Sequence, residues 1–293
     1  MRTPLGRPVF DFHARLAPTT AAGPRLLTMM DRCGIARAAV SAGGVMDLDQ
    51  LAYQVVHGGR STGSPDNEAV LRAAEGSGGR LVPFFFGNPH ASFREYAKRG
   101  HHYRGLEISP AVHGVGFYHP GVRELVEVAQ QHGHPVYTVC VPAPGGGTAD
   151  LLWLVKAYPD VTFVFGHCGY TGIDTHALKL LAPYPNVVAE ISGCFSVTAQ
   201  TAIERFGADR VVFGTEYPLQ HPDVELAKLA ALRLSTSDER KVAWSNAHRL
   251  LNLTEAPAPV SAPVPAPAAS SRAEALAVLA PSLVPLSTEE GHR

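Results

Sequence analysis

The sequence predicts a single (β/α)8 barrel over residues 1–254, followed by a disordered Pro/Ala-rich tail over 255–293. Three observations carry that expectation. Eight short apolar, β-branched runs recur between residues 8 and 215, a helical pattern follows most of them, and composition changes abruptly after Leu253. A doubly wound open sheet would have fewer strands and often a Gly-rich phosphate turn after the first, and no such turn is present.

The runs are PVFDF (8–12), ARAAVS (36–41), LVPFFFG (81–87), GLEIS (105–109), HPVYTVCV (134–141), VTFVFGH (161–167), NVVAEIS (186–192) and DRVVFGT (209–215). Between them, VRELVEVAQQHG (122–133) places Val122, Leu125, Val126, Val128 and Ala129 on one stripe and ends on Gly133 as a cap. TADLLWLVKAYPD (148–160) and SVTAQTAIERFG (196–207) read likewise. After Leu253, TEAPAPVSAPVPAPAASS spaces proline so that neither helix nor sheet propagates, which predicts an extended linker. RAEALAVLA beyond it is too short for a stable lone helix and reads as a disordered tail, or as a peptide that folds on a protein partner.

Composition narrows the functional classes. The formal charge of −1 gives no electrostatic reason to expect nucleic acid or an anionic membrane as partner. Four cysteines, at 33, 140, 168 and 194, form no C-x-x-C, which argues against a zinc knuckle and suits a reduced cytoplasm. No stretch reads as a signal peptide or a membrane span. Fourteen histidines among 293 residues raise the expectation of site chemistry without locating it.

Barrel active sites lie at the C-terminal strand ends, so the polar residues there matter most. Strand one ends in VFDFHARLAP, where Asp11, His13 and Arg15 alternate and should converge on one face. Strand four offers Glu107, strand six His167 between glycines, strand seven Glu190 and strand eight Glu216. That set suits a divalent metal or acid–base chemistry. Glu216 follows a buried strand, where an ionised carboxylate requires a partner, either a cation or an arginine. A slip of one residue would turn Glu107 or Glu190 outward. The segment MDLDQLAYQVVHGGRSTGSPD and the residues His101, His102 and Tyr103 are expected to shape the pocket.

These motifs resemble the amidohydrolase-related (amidohydrolase 2) family of the metal-dependent hydrolase superfamily. The resemblance runs from about residue 8 to 253, through FDFHARL, RGLEISP, GHPVYTV, FVFGHCG, NVVAEISG and, most specifically, FGADRVVFGTEYP with NAHRLLNL. It implies a hydrolase of C–O or C–N bonds, or alternatively a decarboxylase-type lyase, with one divalent metal such as zinc or manganese. The family holds its ion with two strand-one histidines, a strand-five histidine and a strand-eight aspartate, and adds a strand-six histidine.

This chain keeps His13 and His167 but has Arg15 at the second histidine, Val139 beside Cys140 on strand five, and Glu216 for the aspartate. Arginine cannot ligate a metal. Three readings stay open: a rebuilt metal site of His13, His167, Glu107 and Glu216; metal-free catalysis by Glu216 and His167 on a small carboxylate-bearing substrate bound by Arg15 and Glu190; or a barrel that has lost catalysis and serves as a scaffold. Relatives are often homodimers.

Overall fold

The computed structural model describes residues 6–254, apart from Ser92; the expected tail falls outside the described residues. Eight parallel strands run in sequence order, β1 to β8: Val9–Leu16, Ile35–Ala42, Leu81–Phe86, Gly105–Ile108, Val136–Thr138, Phe163–Phe165, Val187–Glu190 and Val211–Val212. Each neighbouring pair is in parallel register. The last gap closes through backbone bonds: Phe12 N donates to Phe213 O at 2.8 Å, Glu216 N to His13 O at 2.9 Å and Arg15 N to Tyr217 O at 2.7 Å. The chain is a TIM barrel; each of the eight predicted runs overlaps its strand, and only β1 and β2 extend beyond their runs.

Alternation sorts the side chains into two cores. Phe10, Phe12, Val82, Phe84, Tyr137, Val164, Val188 and Val212 form one cluster, with Trp244 and Leu251 packed against it. The larger cluster joins Val9, Ala14, Leu16, Phe85 and Phe163 to helix residues such as Leu26, Leu125 and Leu154. Helix α1 spans Ala22–Cys33, and α2, Leu48–His57, lies in the long β2–β3 connection. The helix Pro120–His132 buries Val122, Leu125, Val126, Val128 and Ala129, as its stripe predicts. Burying each valine or leucine there contributes about 1.5–3 kcal/mol. Gly133 ends that helix at φ 66°, a left-handed conformation that costs glycine no steric strain.

Strand one is irregular against β2 in two places, the first between Val9 and Phe10. The second register shift lies between Asp11 and Ala14, so Asp11 does not join His13 and Arg15. Its carboxylate instead accepts from Thr215 N at 2.8 Å and Thr215 Oγ1 at 2.5 Å, tying β1 to the segment after β8. The expected convergence of three side chains is therefore a convergence of two. No helix among the described residues is long and apolar enough to cross a membrane.

Candidate functional site

Four strand ends deliver a buried ionic cluster. Arg15 Nη2 donates to Glu107 Oε1, and Ser41 Oγ donates to Glu107 Oε2. Arg15 Nε also lies 3.5 Å from Glu216 Oε1, and its guanidinium carbon sits 5.2 Å from the Phe86 ring centre. His13 places Nδ1 against Glu216 Oε2 and Nε2 3.6 Å from Glu107 Oε2. Neither His13 nitrogen nor Glu216 Oε2 has a well-directed hydrogen bond, so these contacts are ionic. The His13 ring stacks on Tyr137 at 4.0 Å.

Electrostatics follow from this packing. Burial disfavours charge on His13, but Glu216 and Glu107 overrule it and push its pKa up to about 10. Burial would likewise raise Glu216, yet His13, His167 and Arg15 together hold its carboxyl well below the usual range. Glu107 is held low against its own burial, by Arg15 first and His13 next. The cluster is thus an alternating set of charges, each satisfied by its neighbours.

His167 and Glu190 form a second layer. Glu190 is fully buried and accepts from Ser192 N at 2.6 Å, Ser192 Oγ at 2.9 Å, Tyr137 Oη at 3.0 Å and His167 N at 3.1 Å. His167 Nδ1 lies 2.9 Å from Ser192 Oγ, and Nε2 lies 3.4 Å from both Glu216 Oε2 and Tyr137 Oη. The backbone accommodates this packing at cost. His167 and Glu216 adopt φ of 58° and 57°, left-handed conformations uncommon for non-glycine residues. Gly166 and Gly214 carry no side chain where a Cβ would strike the Tyr137 hydroxyl and the Glu190 carboxylate respectively.

Above the cluster opens a cavity of about 550 Å³ lined by Arg15, Phe86, Val139, Cys140, His167 and Glu216, with Val45, Met46, Leu48, Leu51 and Val55 as an apolar wall. The β2–β3 connection therefore shapes the pocket as expected. His101, His102 and Tyr103 do not line it: they precede β4, at the opposite end of the strand from its mouth. Tyr103 is buried and donates to Asn67 O at 3.3 Å. Ser192 and Tyr137, which contact His167, lie in NVVAEISG and GHPVYTV, and no local spacing in either motif marks them as site residues.

A family model described as Amidohydrolase matches residues 10–253. The chain belongs to that amidohydrolase family. Solved structures agree on the fold. One is a 5-carboxyvanillate decarboxylase from Novosphingobium aromaticivorans with bound manganese, at TM-score 0.64 and 16% identity, covering 86% of this chain and 100% of that one. A 2,6-dihydroxybenzoate decarboxylase from Rhizobium aligns at TM-score 0.61 and 16% identity, over 86% and 99% of the two chains. A putative amidohydrolase from Staphylococcus aureus aligns at TM-score 0.62 and 14% identity, over 84% and 100%. No curated protein matches the sequence.

The amidohydrolase resemblance implies a divalent ion, and one cluster here has the composition for it: ligand atoms of His13, His167 and Glu190 lie within 4.8 Å of one another. The donors do not fit a resident ion while Arg15 is in place. Glu190 already accepts four hydrogen bonds, and both Glu107 and Glu216 are engaged by the guanidinium. Val139 has no donor, and burial pushes the Cys140 thiol up to about 12, far from a thiolate. Arg15 brings a positive charge to the position at which the resemblance expects the second ligand histidine.

Proposed function

We propose that this amidohydrolase is a metal-independent decarboxylase of a small, flat, carboxylate-bearing molecule. The observation that carries this reading is His167, an imidazole that lines the cavity with Nε2 3.4 Å from a carboxylate held firmly ionised. Glu216 is a weak base in these surroundings, because protonated His13 and Arg15 stabilise its negative form with His167 beside them. The site is better suited to delivering a proton than to taking one from water.

Arg15 lines the cavity and brings a guanidinium to it, while protonated His13 lies buried behind Glu216, its ion partner. Glu107 engages Arg15 Nη2 and Glu216 approaches Nε, which leaves Nη1 for a substrate carboxylate. The volume falls within the range of small-molecule pockets, and its apolar wall suits an aromatic body. In the step proposed, His167 Nε2 gives its proton to the carbon bearing the carboxyl group. The bond to the carboxyl carbon then breaks, its electron pair restores the ring, and carbon dioxide leaves. Solvent returns the proton to His167. Decarboxylases among the structural neighbours support the decarboxylation; the Novosphingobium enzyme holds manganese, so the metal independence proposed here rests on Arg15.

Hydrolysis of a C–O or C–N bond is the second reading. The contact between Glu216 Oε2 and His167 Nε2 favours it, since a carboxylate–imidazole pair can take a proton from water.

The test is carbon dioxide release from a panel of hydroxybenzoates and related aryl carboxylates, with and without chelator. Release that survives chelation supports the proposal. Glu216→Gln and His167→Gln should each lower it about 100-fold or more. Full activity in Glu216→Gln, or release that requires added manganese, would overturn it.

A further inference from the structure

We infer that Ser192 is a positioning residue that fixes which nitrogen of His167 exchanges its proton, with Glu190 setting the direction of the Ser192 hydroxyl. The inference rests on the proposed role of His167 for its catalytic meaning, but its geometry stands independently. Glu190 was expected to bind substrate; its carboxylate faces protein donors on every side instead.

A serine hydroxyl has one hydrogen to donate. Ser192 Oγ spends it on Glu190 Oε2 at 2.9 Å. Only lone pairs remain for His167 Nδ1, also 2.9 Å away, so Nδ1 must carry a hydrogen and donate it. Tyr137 Oη spends its single hydrogen on the same Glu190 oxygen at 3.0 Å, and therefore also presents lone pairs to His167, at Nε2. Glu190 thus orients two hydroxyls as acceptors, one at each end of the imidazole. Both nitrogens thus face acceptors, but Nδ1 has the short contact, 2.9 Å against 3.4 Å at Nε2, so Nδ1 keeps its hydrogen and Nε2 gains and loses the proton beside Glu216 and the cavity.

The segment holding Ser192 is clamped. Lys228 Nζ donates to Ile191 O at 2.7 Å and Cys194 O at 2.9 Å, while Gly193 N donates to Glu225 Oε1 at 3.2 Å. The helix Pro222–Ala231, which carries both Glu225 and Lys228, grips residues 191–194 on both sides of the serine. Ser192 itself is fully buried, so no water competes for its hydroxyl. A buried network in which every hydrogen has one destination holds one tautomer rather than a mixture.

The experiment is two-bond proton–nitrogen correlation of full-length protein labelled with nitrogen-15 in histidine, with His167 assigned by the signal lost in His167→Gln. The expected wild-type spectrum shows the hydrogen of the neutral His167 ring on Nδ1. Ser192→Ala should move it to Nε2 or to a mixture, and Ser192→Thr, which keeps the hydroxyl, should restore Nδ1. If carbon dioxide release is found, Ser192→Ala should lower turnover at least about tenfold with KM changed less than about threefold, and Ser192→Thr should recover it. A wild-type ring protonated on Nε2 alone overturns the inference without any variant, as does a Ser192→Ala pattern identical to wild type. The Nδ1 pattern together with no turnover of any carboxylate would sink the proposed reaction and leave this assignment standing.

Discussion

Arg15→His restores the second imidazole of strand one and removes the cation that stands in the ion's place. A +1 and a +2 charge ~4 Å apart at an effective dielectric near 20 repel by roughly 8 kcal/mol. That figure is a ceiling, because a long side chain can swing aside. Recovering even a third of it, about 2.8 kcal/mol, raises divalent-metal affinity about 100-fold. The same substitution breaks a buried ion pair and leaves Glu107 without its main partner, at a cost of about 3–5 kcal/mol. Without metal, the variant should therefore melt on the order of 10 °C below wild type. Zinc or manganese at about 100 times its Kd should return about 2.7 kcal/mol and recover much of that loss. The assay is elemental analysis after dialysis against metal-free buffer, before and after incubation with each metal, alongside thermal melts. Wild type should retain well under one equivalent and Arg15→His close to one. Near-stoichiometric metal in wild type, or no gain in the variant, would refute the claim that Arg15 excludes the ion.

Two further predictions concern stability and binding. Burial lowers the pKa of His113 to about 4, aided by His90, and lowers that of His134 to about 4, aided by His132. Each folded-state value lies below the unfolded one of about 6.5, so the stability from the neutral rings is full above that pH. It is lost as pH falls toward 4, by about 3 kcal/mol per residue. Urea denaturation between pH 7 and 4.5 should show a shallower decline in His113→Asn than in wild type, and equal slopes would refute it. In the cavity wall, Leu51→Asp should weaken binding of bulky aryl carboxylates about tenfold or more while leaving small ones little changed, as measured by calorimetry. Uniform weakening would show that Leu51 does not contact the apolar body of the ligand.

The sequence alone determined the architecture, because periodicity is a local property. Apolar runs such as VTFVFGH and NVVAEIS must be buried, and stripes such as Val122, Leu125, Val126 and Ala129 must face them, wherever the chain places them. Alternation of strand and helix then admits few topologies. The candidate site residues were legible for a related reason: polar side chains at the strand ends of a barrel face its mouth, which marks His13, Arg15, Glu107, His167, Glu190 and Glu216 as candidates. What each does was decided only by tertiary structure. The register shift that diverts Asp11 to Thr215 leaves no mark in VFDFHARLAP. Arg15 is separated from Glu107 by 92 positions and Tyr137 from Glu190 by 53, and no local pattern encodes such pairings. Charge state depends on those distances and on burial, both of which exist only once the barrel closes. Two histidines and two glutamates, His13, His167, Glu107 and Glu216, could have formed a metal centre. Their packing makes them an ionic cluster, because the guanidinium engages both carboxylates that an ion would need.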